Sequence, residues 1–156
     1  MMQLASLCDA FCHVLGNTCR IARTAKSYEW NVDGPGAIEA ARCFAGQASE
    51  LETAIDPLAH HVLGLGGRAI LDYSDAVVEA NPPTIDLIPR LGDMVRILSD
   101  GHEQARHAIG AAMDIAQAVD EVPSVHILAL RMDAHRQHRR QLLLLGHSHQ
   151  PMPARI

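Results

Sequence analysis

Apolar residues recur at helical spacing in four segments of the chain. The first carries Leu4, Leu7/Cys8, Phe11/Cys12, Leu15, Cys19, Ala22 and Ala25 on one face and runs to a turn at Asn31–Gly36. The second carries Ile38, Ala41, Phe44/Ala45, Ala48, Leu51, Ile55, Leu58/Ala59 and Val62, and stops at Gly64-Leu65-Gly66-Gly67. Helices commonly end on a residue at positive φ, which glycine adopts at least cost. The third runs from about Leu91 to Val119, with Met94, Ile97/Leu98, Ala105, Ile109, Ala112 and Ile115/Ala116 inward, and breaks at Asp120-Glu121-Val122-Pro123. Ser124 is the expected cap of the fourth, which reaches Leu145 before Gly146 with Leu128, Met132, His135, Leu142 and Leu145 inward.

The connections between these segments set the topology. Two are short and make antiparallel neighbours. The middle one, Arg68 to about Pro89, is long and contains one short helix candidate, Leu71 to about Ala80, closed by Asn81-Pro82-Pro83. A long connection lets the second pair of helices return parallel to the first. The expectation is therefore all-α: a ferritin-like four-helix bundle with a short extra helix in the crossover. The expected domain organisation is a single domain over residues 1–156, with 146–156 as a flexible tail.

Composition narrows the chemistry. Nearly half the chain is apolar and aromatics are few, so the core is aliphatic and suits helices. The net charge of -5 disfavours nucleic acid as an electrostatic partner. The four cysteines, Cys8, Cys12, Cys19 and Cys43, form no Cys-x-x-Cys pair, which excludes zinc-ribbon and thioredoxin readings. Cys8, Cys12 and Cys19 share one face, but Cys19 lies about 10 Å beyond Cys12 at about 1.5 Å per residue. They read as small buried residues of the first helix. No signal peptide or membrane span is recognisable, and the expected location is cytoplasmic.

The stretches "EWNVDGPG", "LAHHVLGLGG", "MVRILSDGHEQARHAIGAAMDIA" and "VHILALRMDAH", at their spacing, resemble the Dps miniferritins of the ferritin-like superfamily. The likeness covers about Lys26 to Leu145. It implies a hollow homododecamer built from two-fold dimers that oxidises Fe(II), stores ferric mineral and protects against iron-driven oxidative damage. It also implies a di-iron site between subunits: a His before the Trp, a His and an acid early in the second helix, and an Asp and a Glu late in the partner's second helix.

Mapped onto this chain, the first position is Glu29, the early pair is Ala41 and Ala45, and the late pair is Asp56 and His60. Two positions thus offer no ligand and two have exchanged type. Glu29 and Asp56 lie roughly 30 Å apart along the second helix at about 1.5 Å per residue, so only an antiparallel partner brings them together. Asp56 and His60 share a helix face, and Glu52 extends the row one turn back. The expectation is a degenerate ferroxidase centre, holding Fe or another divalent ion such as Zn on Glu29, Asp56 and His60, with Glu52 adjacent and Trp30 packing at the dimer contact. The alternative is a metal-binding or structural shell without ferroxidase activity.

Asp120, Glu121, His126 and Asp133 match the region that in Dps-like cages lines the three-fold pore, where acidic rings draw cations inward. His135 reads as a core histidine, and His138 with Arg139 and Arg140 as facing solvent or an interface. His102, Glu103 and His107 read as a solvated face. A bundle-interior centre would need Glu-x-x-His pairs, which are absent. His147 and His149 are non-specific metal donors. With no Lys-rich tail, DNA binding is not expected.

Overall fold

A computed structural model describes residues 2–70 and 88–148. Four helices are present among them: α1 (Met2–Asn31), α2 (Ala37–Gly64), α3 (Leu91–Ala118) and α4 (Val122–Ser148). The expected short helix near Leu71–Ala80 lies outside the described residues; of the expected tail 146–156, residues 146–148 instead continue α4 and the rest lies outside the described residues.

Each helix end has a chemical cause. The α1–α2 turn places Gly34 and Gly36 at φ of 80° and 82°, where a Cβ would be strained. α2 ends in a Schellman motif: Gly67 N–H donates to Val62 O, Gly66 N–H donates to Leu63 O, and Gly66 takes φ of 84°. A side chain at Gly67 is also excluded by space, since a Cβ there would stand 2.8 Å from Cys8 Sγ.

α3 closes with the same bonds, Glu121 N–H to Ala116 O and Asp120 N–H to Gln117 O, but its left-handed residue is Asp120 at φ of 54°. Asp120→Gly removes that strain and is expected to raise stability by about 0.5–1 kcal/mol, read as a higher urea midpoint at unchanged slope. α4 begins three residues earlier than a Ser124 cap predicts, and its cap is Glu121. The Ser124 N–H donates to Glu121 Oε2 at 2.8 Å. Hydrogen bonding from Ser124, first through its side chain and then through this N–H, holds the Glu121 carboxyl below its usual range. The Ser124 hydroxyl also lies 2.7 Å from His61 Nε2 on α2.

Side-chain contacts fix the directions. Gln47 and Glu50 meet the His138 end of α4, and His61 meets Ser124 at its start, so α2 and α4 are antiparallel. Val95 lies against Gly146 near one end and Gly110 approaches Met132 nearer the other, so α3 and α4 are antiparallel too. α2 and α3 therefore run parallel, as a long crossover between them requires.

The core falls into two apolar clusters. One gathers Leu7, Phe11, Leu15, Leu58, Val62, Ile109, Ala112 and Leu128. The other gathers Ile21, Ala25, Phe44, Leu51, Met94, Leu98, Leu142 and Leu145. On α4, the buried residues between Leu128 and Leu142 are Arg131, His135 and His138, so a polar layer crosses the middle of the bundle. No helix among the described residues is long and apolar enough to cross a membrane.

Candidate metal centre

Glu29 occupies the last turn of α1 because the helix continues to Asn31 before the glycine turn. Its Oε2 lies 2.9 Å from Lys26 Nζ, one turn back on the same helix, and this pairing raises the Lys26 pKa. Trp30 follows it at 72% exposure, and Ile38 across the turn is equally exposed. Two large apolar side chains thus stand in the open beside a carboxylate, while the neighbouring Tyr28 and Val32 pack against a core cluster.

Glu52, Asp56 and His60 are all exposed and follow one another at i, i+4 and i+8 along α2, while Ala41 and Ala45 are half-buried nearer its start. Asp56 and His60 lie at the opposite end of α2 from Glu29, so one chain does not unite the three. Among the described residues, no three His, Cys, Asp or Glu side chains of the single chain converge to hold a metal. The donor types do suit a borderline cation: two carboxylates and an imidazole on surfaces that a second chain can reach. Of the pore-region residues, Asp120, His126 and Asp133 are exposed and Glu121 is half-buried at its cap. Asp133 also accepts a hydrogen bond from Gln137 at 2.9 Å.

The thiols are all free. Cys8 and Cys19 are buried, and burial pushes both pKa values up, as expected of inert core cysteines; Cys12 is half-buried, its thiol donating to Arg68 O at 3.5 Å.

Two expectations need correction. His138 does not face solvent, and His102 is not part of a solvated face. Both are buried in the mid-bundle layer, and only His107 of that trio is well exposed. Glu103 reaches Arg106 and Arg139 at 2.8 and 2.7 Å, besides His107 at 3.6 Å.

The layer itself is a connected network. Gln47 donates through Nε2 to the His138 carbonyl at 3.2 Å, which orients its amide and presents Oε1 to His102 Nε2 at 3.0 Å. His102 Nδ1 meets His135 Nδ1 at 2.8 Å. His138 Nε2 lies 2.8 Å from Glu50 Oε2, and Arg131 grips the same carboxylate with both terminal nitrogens. Burial alone would raise the Glu50 pKa, but the bonds from His138 and Arg131 outweigh it and hold the group at about 2. Burial, reinforced by neighbouring cations and imidazoles, drives His102 down to about 2 and His135 to about 3.

The comparisons with known proteins agree with this architecture. No curated protein matches the sequence. Among solved structures, Dps from Thermosynechococcus elongatus superposes with a TM-score of 0.83 at 19% identity, over 97% of this chain and 95% of that one. Dps from Vibrio cholerae O1, described as a member of a broad superfamily of ferritin-like diiron-carboxylate proteins, gives 0.77 at 19%, over 96% and 92%. A dodecameric thioferritin, the bacterioferritin-related protein from Bacteroides fragilis, gives 0.79 at 15%, over 93% and 86%. The family model for the ferritin-like domain matches residues 9–145, nearly the whole helical part of the chain. The chain belongs to the ferritin-like family and has the fold of the Dps proteins.

Proposed function

We propose that this chain builds a Dps-like shell, a homododecamer of two-fold dimers, that binds and stores iron in the cytoplasm and limits iron-driven oxidative damage. The observation that carries the reading is the exposed row of Glu52, Asp56 and His60 on α2 of a Dps-type fold. In a two-fold dimer, Glu29 of one subunit meets Asp56 and His60 of the other, with Trp30 covering the contact. Three donors suffice for one Fe(II), the substrate. A second iron lacks ligands because Ala41 and Ala45 offer none, so ferroxidase activity is weak. Asp120, Glu121, His126 and Asp133 form the entry pore. The net charge of -5 leaves DNA no electrostatic footing.

One observation favours a second reading, a shell that holds Zn(II) or a similar ion without oxidising iron. The Glu29 carboxylate is occupied by the Lys26 ammonium. A divalent ion must displace that amine, and strong-binding Zn(II) does so more readily than Fe(II).

Anaerobic loading with Fe(II), followed by O2 or peroxide, separates the two through ferric absorbance. Under the first reading, wild type produces a signal that Asp56→Ala with His60→Ala reduces at least tenfold, and the assembly keeps its size by light scattering. A signal unchanged by those substitutions rules out the inter-subunit centre. No signal, with Zn(II) retained at one ion per chain, selects the second reading.

A further inference from the structure

The hydrogen bonds of the mid-bundle layer dictate where its protons sit. Gln47 Oε1 is an acceptor only, so His102 must donate from Nε2. A neutral His102 then has a bare Nδ1, and His135 must donate to it from its own Nδ1. That leaves the His135 Nε2 lone pair bare, and this atom is buried without a partner. Both rings are inaccessible to water. Every ring position is thus assigned, and no place remains for one more proton.

A proton added to His102 Nδ1 sets two N–H groups against each other across 2.8 Å. A proton added to His135 Nε2 creates a buried cationic N–H with no acceptor, a heavy penalty in a dry core. The surroundings give little relief. The charged and titratable groups acting on the pair are Glu50 from α2, Arg106 from α3, and Arg131 and His138 from α4. Glu50, the one anion among them, is already held by Arg131 and His138. From α1 the neighbour on the His102 side is Ile21, against Gly101.

We propose that the His102–His135 pair is an acid-operated latch: two neutral rings tie α3 to α4 and α2, and protonation of either ring releases them. The unfolded chain takes up both protons near the ordinary histidine value, whereas the closed bundle refuses them. Stability is therefore fully present above about pH 6.5 and falls as the pH drops below it, by linkage. The latch is independent of metal binding. In a shell built from this chain, a consequence that rests on the proposed assembly, it sets an acid limit on the walls.

Urea unfolding of the full chain from pH 7.5 to 4.5 tests it. In wild type the two rings should lower the folding equilibrium constant by roughly tenfold each per pH unit, about a hundredfold together, below about pH 6. His102→Leu with His135→Leu should lose that part of the slope, while His107→Gln, at an exposed ring, should keep it. Equal slopes in wild type and the double variant would overturn the proposal. If the double variant fails to fold, 15N shifts of the wild-type imidazoles decide. Two rings that stay neutral until the fold opens support the latch, and either ring titrating near pH 6 within an intact fold removes it.

Discussion

Glu50→Ala should destabilise the bundle by about 3 kcal/mol, and Arg131→Met by no more than about 1 kcal/mol, although the two substitutions delete the same ion pair. The asymmetry follows from what each leaves behind. The Arg131 side chain is only 10% exposed, and that of Glu50 is 39% exposed. Without Glu50, a guanidinium that cannot lose its proton remains buried and unpaired, and His138 Nε2 loses its partner as well. Without Arg131, Glu50 keeps His138 and turns its other oxygen to water, and methionine replaces the buried arginine stem. The carboxyl's depressed pKa contributes stability above about pH 4.5 that is lost as the pH falls towards about 2. Solvent screening discounts that contribution, because more than a third of the group is wet. Urea midpoints at pH 7 measure both variants. If Arg131→Met costs as much as Glu50→Ala, the layer is held by the pair's mutual attraction and not by the burial of its cation.

The polar layer also marks where reading the chain by hydrophobicity stopped short. The four helices were legible because Leu, Ile, Ala and Phe repeat at 3.6-residue spacing and glycines or prolines punctuate them. Expected and observed limits of α3 differ by one residue, Val119 against Ala118. Two-short-one-long connectivity was enough to give the parallel α2–α3 arrangement. The interior of α4 was harder, because its inward row is Leu128, Arg131, His135, His138, Leu142 and Leu145, with half of its members polar. Spacing alone carried the signal: those numbers alternate by three and four, as one face of a helix must. Attention to side-chain type put Met132 in that row and turned His138 outward beside Arg139 and Arg140. His102 has the same explanation, since it stands four residues after Leu98 and three before Ala105, both in the core. Gln47 has the same explanation, three residues after Phe44 and four before Leu51, whereas Glu50 gave no such signal, because its role depends on groups brought from α4. The row of Glu52, Asp56 and His60 was legible as a face, but nothing within one chain says what that face meets.

Ala41→His combined with Ala45→Asp should raise the rate of Fe(II) oxidation by an order of magnitude or more over wild type. Both positions are half-buried on α2, on the side that continues towards Glu52 and Asp56. Each has a small side chain in a helix whose core contacts are made by Ala40, Phe44 and Ala48, so longer groups at 41 and 45 leave those contacts in place. The substitutions add an imidazole and a carboxylate one turn apart, near Glu29 of the same chain and, in a two-fold dimer, facing the partner's Asp56 and His60. Five donors then serve two irons, and two adjacent irons deliver two electrons to one peroxide, which a single ion cannot do. The added Asp also supplies negative charge that competes with Glu29 for the Lys26 ammonium. Initial rates of ferric absorbance at fixed Fe(II) and peroxide, compared with wild type and with each single substitution, measure the gain. The two should be synergistic, each alone giving less than half of the logarithmic increase, because one extra ligand does not complete a second site. A double variant that assembles normally yet oxidises iron no faster would place the metal chemistry of this chain somewhere other than between Glu29 and the Asp56–His60 pair.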